Sequence, residues 1–174
     1  MSLRDRLVAA LALKDLPRAG WVRAGVEGPE SVAAHSWGVA WLVLVLCPDD
    51  VDRGHALELA VVHDLPEAGA GDITPHDGLD PAEKSARERR ALHELLDGVP
   101  RSSALAALWE EYEAGESPEA RFVKACDKLD MALQACAYRG RAPGDLREFV
   151  DSALARLPDG PLRDLADAAG SAQR

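Results

Sequence analysis

Helix starters and stoppers divide this chain into helix-length segments, and that punctuation constrains its fold more than any other feature. Ser31 precedes an apolar stretch that runs to Cys47-Pro48, and the Asp49-Asp50 pair is placed to cap a segment from about Val51 to Ala68. Pro81 opens PAEKSARERRALHELL, which Gly98 and Pro100 close. Ser102 to Ala114 ends at Gly115, and Ser117-Pro118-Glu119 starts a longer segment reaching Tyr138. Ser and Asp side chains accept the orphan N–H groups of a first turn, where Pro is also tolerated, and Gly readily takes the left-handed conformation past the last turn. Leu3, Leu7 and Leu11 put an apolar stripe on a first helix over Leu3–Lys14. Pro17, Gly20, Gly25, Gly28 and Pro29 mark the next stretch as loop, and Asp145–Leu157 and a short piece after Pro161 complete the series. No repeat and no sustained β-alternation interrupts it. The expectation is a compact all-α bundle of about seven to eight helices, with its core over about 16–157 and a short helix and frayed SAQR tail over 158–174.

Composition agrees and excludes several classes. A chain of 174 residues, 47% apolar but only 5% aromatic, can bury a core without disulfides. Its wealth of Ala and Leu favours helix over sheet. The net charge of −10 argues against a nucleic-acid polymer as partner, because such binding needs a basic surface. A small phosphorylated ligand stays possible, since an ion and a few arginines reverse the field locally. Cys47, Cys126 and Cys136 are odd in number and lack C-x-x-C spacing, which points to reduced thiols in a cytoplasm. The N-terminal segment is too interrupted for a signal peptide. VAWLVLVLC (39–47), the most apolar run, is too short to span a bilayer.

Against that background the ionisable groups inside apolar segments stand out. His35 lies early in the second helix, and His63-Asp64 follows an apolar run. Alone, His35 reads first as a helix histidine hydrogen-bonded to a neighbour, while His63-Asp64 reads equally as a polar helix end. Asp127, within FVKACDKLDMAL, is harder to explain, because an unpaired buried carboxylate costs several kcal/mol. Three separate helices offering costly polar groups call for a shared partner. A divalent ion is the simplest, because two imidazoles and two carboxylates form a mixed N/O set that leaves positions open for water. Such an ion acidifies water and polarises a phosphoryl oxygen. The ligand gaps of 28 and 63 residues require helix packing to assemble the site. Glu67, four residues after His63, is expected on the same helix face. Gly69 and Gly71 let the chain turn so that Asp72 returns toward the ligands. The other reading of this stretch is a helix C-cap followed by an ordinary Asp turn.

The segments PRAGWV, PESVAAHS, ELAVVHDLPEAGAGDITP, PAEKSARERRAL and LWEEYEAGESPEARFVKACDKLDMALQA together resemble the HD-domain metal-dependent phosphohydrolases. The closer likeness is to their 5′-deoxynucleotidase group, the YfbR-like and HD-domain-containing protein 2 branch. It implies a single HD domain over 1–174. It implies that His35, His63, Asp64 and Asp127 hold one divalent ion per subunit (Mn, Co, Fe or Mg) and that Glu67 and Asp72 are catalytic. Arg18 and Trp21 would meet the nucleotide, with the indole favouring deoxyribose. Arg23 and Thr74 are further substrate contacts. Two departures stand out: Ala34 replaces the acid that often precedes the first ligand histidine, and Arg23-Ala24-Gly25-Val26 replaces an Arg-Asn-Val phrase.

The expected activity is therefore hydrolysis of deoxyribonucleoside 5′-monophosphates by a cytoplasmic enzyme with no membrane contact. The resemblance also implies a homodimer, for which VAWLVLVLC supplies surplus apolar surface. Competing readings are another HD phosphohydrolase (a nucleoside triphosphatase, a cyclic-nucleotide phosphodiesterase or a biosynthetic-pathway phosphatase), a non-catalytic nucleotide-binding helical protein, and a purely structural bundle.

Overall fold

The computed structural model describes residues 1–171. Ten α-helices follow in order: α1 Leu3–Ala10, α2 Ala19–Arg23, α3 Val32–Leu46, α4 Arg53–Val62, α5 Glu67–Ala70, α6 Pro81–Leu96, α7 Ser102–Ala114, α8 Pro118–Ala137, α9 Arg147–Leu154 and α10 Pro161–Ser171. Short 3₁₀ turns occupy Leu11–Lys14 and Pro75–Asp77. One isolated bridge, Pro17 to Ser31, is the only β pairing among the described residues.

The capping chemistry follows the side chains. Ser31 accepts from Ala34 N at 3.2 Å and Ser117 from Ala120 N at 3.1 Å, as their positions predict. Asp52, rather than Asp49 or Asp50, caps α4 by accepting from Gly54 N at 2.9 Å and His55 N at 3.1 Å. Gly115 ends α7 at φ 64°, returning its N–H to Glu111 O.

Helix α8 is the hub. Ala120, Val123, Cys126, Leu129 and Ala132 on it are wholly buried against Val39 and Val43 of α3, Leu59 and Ala60 of α4, and Val150 and Ala153 of α9. Small residues let the axes approach, and each buried Val or Leu contributes about 1.5–3 kcal/mol. Helix α10 lies close over α9, since a Cβ on Gly170 would come within 2.8 Å of Val150 Cγ1. A second cluster of Leu92, Leu96 and Trp109 joins α6 to α7. The Arg89 guanidinium covers that indole at 5.6 Å while pairing with Glu110.

Three expectations need correction. The segment from Val51 to Ala68 is not one helix: α4 stops at Val62, a turn holds His63 to Pro66, and α5 begins at Glu67. Pro66 has no N–H for the Val62 carbonyl, and its ring would clash there. Leu65 N donates to that carbonyl instead, at 3.0 Å. The first helix tightens into a 3₁₀ turn after Ala10, and the Gly/Pro stretch read as loop contains α2. The short α2 and α5 account for the helices beyond seven to eight. Of the SAQR tail, Ser171 closes α10 and 172–174 lie outside the described residues.

Candidate metal centre and active site

Three elements bring the sequence-predicted ligands together. His35 comes from the second turn of α3, His63 and Asp64 from the turn that Pro66 enforces, and Asp127 from the middle of α8. His63 Nε2 lies 3.4 Å from His35 Nε2 and 3.2 Å from Asp64 Oδ2. His35 Nε2 lies 3.6 Å from Asp64 Oδ2 and 3.4 Å from Asp127 Oδ1. Metal–ligand bonds of about 2.0–2.2 Å space neighbouring donors by about 3.0–3.4 Å, so these distances have the right scale. Both rings are also turned correctly. His63 Nδ1 is held by Ala60 O at 2.8 Å and His35 Nδ1 by Asp130 Oδ2 at 2.7 Å, leaving each Nε2 facing the other donors.

The electrostatics ask for a positive charge at this point. Burial pushes the Asp64 carboxyl up, but His63, Arg18 and His35 outweigh it and hold it below the usual carboxylate range. Asp127 is likewise held well down against burial, chiefly by Lys128 and His35. Burial and the Arg18 charge oppose a cationic His35, yet Asp127, Asp130 and Asp64 raise it to about 9. The residues present fit a divalent ion.

Glu67 and Asp72 flank this cluster. Burial, then the charges of Asp64 and Asp72, pushes the Glu67 carboxyl up to about 10. Its Oε2 is the one buried side-chain polar atom without a hydrogen-bond partner among the described residues. Asp72 Oδ2 accepts from Ala19 N at 2.7 Å. Gly71, at φ 81°, makes the turn that carries Asp72 back. Arg18 Nη1 lies 3.3 Å from Asp64 Oδ2, 3.8 Å from Asp72 Oδ1 and 4.0 Å from Glu67 Oε1.

All of these groups open into one cavity of about 910 Å³. Trp21 forms part of its wall, donating Nε1–H to Glu30 Oε1 at 2.9 Å and packing on Phe149 at a centroid distance of 4.2 Å. Arg23 lines the same cavity, with its guanidinium paired to Glu148 at 2.7 Å. Thr74 is at the rim, where its hydroxyl donates to Asp77 Oδ2 at 2.8 Å.

Comparison with known proteins gives the family. Residues 10–159 match the family model of the HD domain. The chain belongs to the HD-domain family. The 5′-deoxynucleotidase HDDC2 of Mus musculus is 40% identical over 149 residues, covering 83% of this chain and 75% of that protein. The 5′-deoxynucleotidase hdd1 of Schizosaccharomyces pombe is 37% identical, covering 79% and 74%. Among solved structures, the PH0347 protein of Pyrococcus horikoshii has a TM-score of 0.79 at 33% identity, covering 97% of this chain and 98% of that one. A predicted metal-dependent phosphohydrolase of Magnetospirillum magnetotacticum has a TM-score of 0.75 at 29% identity, covering 97% and 94%.

Within this HD-domain chain several neighbours of the cluster escaped the sequence reading. Tyr112 donates its hydroxyl to Asp127 Oδ2 at 3.2 Å, and Lys128 Nζ lies 2.9 Å from the same oxygen. Lys84, from α6, lines the cavity and pairs with Glu88 at 3.5 Å. Asp130 could have been found, because it follows Asp127 by three residues and so shares its helix face. Nothing local marks Tyr112 or Lys84.

Proposed function

We propose that this HD-domain protein is a metal-dependent 5′-deoxynucleotidase, hydrolysing deoxyribonucleoside 5′-monophosphates to deoxyribonucleoside and phosphate. The convergence of His35 Nε2, His63 Nε2 and Asp64 Oδ2, with Asp127 Oδ1 beside His35, is the observation that carries it. The substrate class follows the names of the relatives, which the chain matches over most of its length. His35, His63, Asp64 and Asp127 would hold the ion, which supplies an acidic water and a charge opposite the phosphoryl oxygens. Mn, Co, Fe and Mg all suit this donor set.

The remaining chemistry belongs to the chain. Glu67 Oε2, buried and unpartnered, is the atom that takes or returns a proton as water attacks phosphorus. Asp72 holds the Ala19 N–H and faces Arg18, fixing the loop that carries the guanidinium. Arg18 Nη1 offsets the phosphate charge. The Trp21 indole, fixed by Glu30, presents an apolar edge that offers a 2′-hydroxyl no partner. Arg23 and Thr74 line the same cavity and are further substrate contacts.

The active form is a homodimer formed through the outer face of α3, where Trp37, Trp41, Leu44 and Val45 are exposed. Its three free cysteines support a location in a reducing cytoplasm. No helix of the described residues is long and apolar enough to cross a membrane.

The test is phosphate release from a panel of dNMPs, NMPs, dNTPs and cyclic nucleotides, using chelated protein reloaded with each metal. Metal-dependent release with dNMPs preferred is expected. Hydrolysis confined to triphosphates or cyclic nucleotides, or none at all, would overturn the assignment.

A further inference from the structure

We propose that Asp130 is the positioning residue for His35, and that Gly38 is retained on α3 to make room for it. The inference rests on His35 being a metal ligand.

Helix α8 presents Asp127 and Asp130 on one face, and the two acids address opposite nitrogens of the same imidazole. Asp127 Oδ1 is 3.4 Å from His35 Nε2, and Asp130 Oδ2 is 2.7 Å from His35 Nδ1. The shorter distance is that of a hydrogen bond, so Nδ1–H donates to Asp130 and Nε2 is left facing His63 and Asp64. A carboxylate on the far nitrogen fixes the tautomer and the ring plane and makes Nε2 a stronger donor. The residue just before His35 cannot do this, because position 34 is alanine.

Glu30, His35 and Asp130 also each place one ligand atom within 4.8 Å of the others, which raises the possibility of a second ion. The geometry decides against it. A 2.7 Å separation between Nδ1 and Asp130 accommodates a hydrogen and not a cation, and Glu30 Oε1 already accepts from Trp21. Glu30 is anchored further by its backbone N–H, which donates to the Tyr138 hydroxyl at 2.6 Å.

Gly38 supplies the steric half. A Cβ there would lie 2.2 Å from Asp130 Oδ1 and 3.0 Å from its Cγ. Glycine is a poorer helix former than alanine, and position 38 has a helical backbone that alanine could adopt. The room it leaves for the carboxylate accounts for the glycine.

The experiment compares wild type, Asp130→Asn, Gly38→Ala and the double variant in four measurements. These are Mn²⁺ affinity of the chelated protein by calorimetry, the visible spectrum after Co²⁺ loading, kcat and KM for dAMP, and the thermal midpoint without metal. Each single variant is expected to weaken Mn²⁺ binding by about 10–100-fold. The Co²⁺ bands should shift and kcat should fall with KM little changed. The double variant should bind no more weakly than Asp130→Asn alone, because Gly38 acts through Asp130. Wild-type affinity and an unaltered Co²⁺ spectrum in Asp130→Asn would overturn the proposal, even if Gly38→Ala failed to fold. Additive losses in the double variant would overturn the role of Gly38. A wild type that binds neither ion would overturn the metal-centre reading itself, an outcome separate from the other two.

Discussion

Arg18 Nη1 stands 3.3 Å from Asp64 Oδ2, so the guanidinium leans on a carboxylate that also faces the His35 and His63 imidazoles. Asp72 and Glu67 lie on its other sides at 3.8 and 4.0 Å. One cation thus balances three acids at the cavity floor, and burial does not overcome their hold on its proton.

Arg18→Ala should therefore reduce kcat/KM for dAMP by about 10²–10³-fold, the usual loss when a charge-stabilising donor is removed. Arg18→Lys should recover only part of this, since an ammonium cannot reproduce the fork geometry. Steady-state kinetics decides. Full activity in Arg18→Ala would mean that the phosphate is met elsewhere.

Glu67→Gln separates chemistry from fold. The amide keeps the shape of a side chain whose Oε2 has no partner and whose proton is held up to about 10. Turnover should drop by about 10²–10⁴-fold, the range for a positioned acid or base. The thermal midpoint of the metal-free protein should be no lower than wild type, because a buried ionisable group has been removed. Wild-type turnover in this variant would take Glu67 out of the reaction.

How far the sequence could be read depended on range. Caps such as Ser31 and Ser117 act within three residues, so helix starts were legible from local pattern. Asp127 was legible as a site candidate because a carboxylate among Ala125, Cys126 and Leu129 needs a partner. Glu67 was reached by an argument the structure corrects: it does not share a continuous helix with His63, and the Pro66 turn delivers it to the cavity. The α2 helix was invisible because five residues among glycines and prolines carry no period. The Trp21–Glu30 contact and the cover that Tyr112 gives Asp127 depend on packing between helices, and no local pattern encodes them.

The Pro66 turn carries its own prediction. Pro66→Ala restores an N–H that can reach the Val62 carbonyl, allowing α4 to run on and rotate Glu67. Metal binding should persist, since His63 and Asp64 are retained. The kcat should fall by about 10- to 100-fold, in line with a displacement of about 1 Å at a reacting group. Calorimetry beside kinetics checks both halves. Joint loss of binding and turnover would show that the proline positions the ligands instead.

Away from the site, His55 Nε2 meets Glu111 Oε2 at 2.9 Å, joining the start of α4 to α7. The hydrogen bond that His55 donates to the Glu111 carboxylate raises the His55 pKa against a smaller effect of burial. A raised folded-state pKa gives stability that is fully present below the unfolded value of about 6.5 and is lost as pH rises through the folded value. The side chains are 33% and 30% exposed, so solvent screening keeps the contribution below about 1 kcal/mol. The stability difference between wild type and His55→Gln should thus be larger at pH 5.5 than at pH 9 in urea titrations. A difference that grows with pH would contradict the pairing.

The outer face of α3 makes the last prediction. Trp37 and Trp41 lie one turn apart, 70% and 53% exposed, with rings parallel to within 3° at 6.4 Å. Leu44 and Val45 extend the apolar surface, while His35 on the same helix is buried in the site. A helix apolar on both sides needs cover on both, and a second copy would supply it symmetrically. Sedimentation should find the wild type dimeric and a Trp37→Glu, Trp41→Glu double variant monomeric. Mn²⁺ bound per chain should be the same in both, because His35, His63 and Asp127 are buried away from that face. A monomeric wild type would leave this face to a different partner, and a dimeric double variant would move the interface elsewhere on the chain.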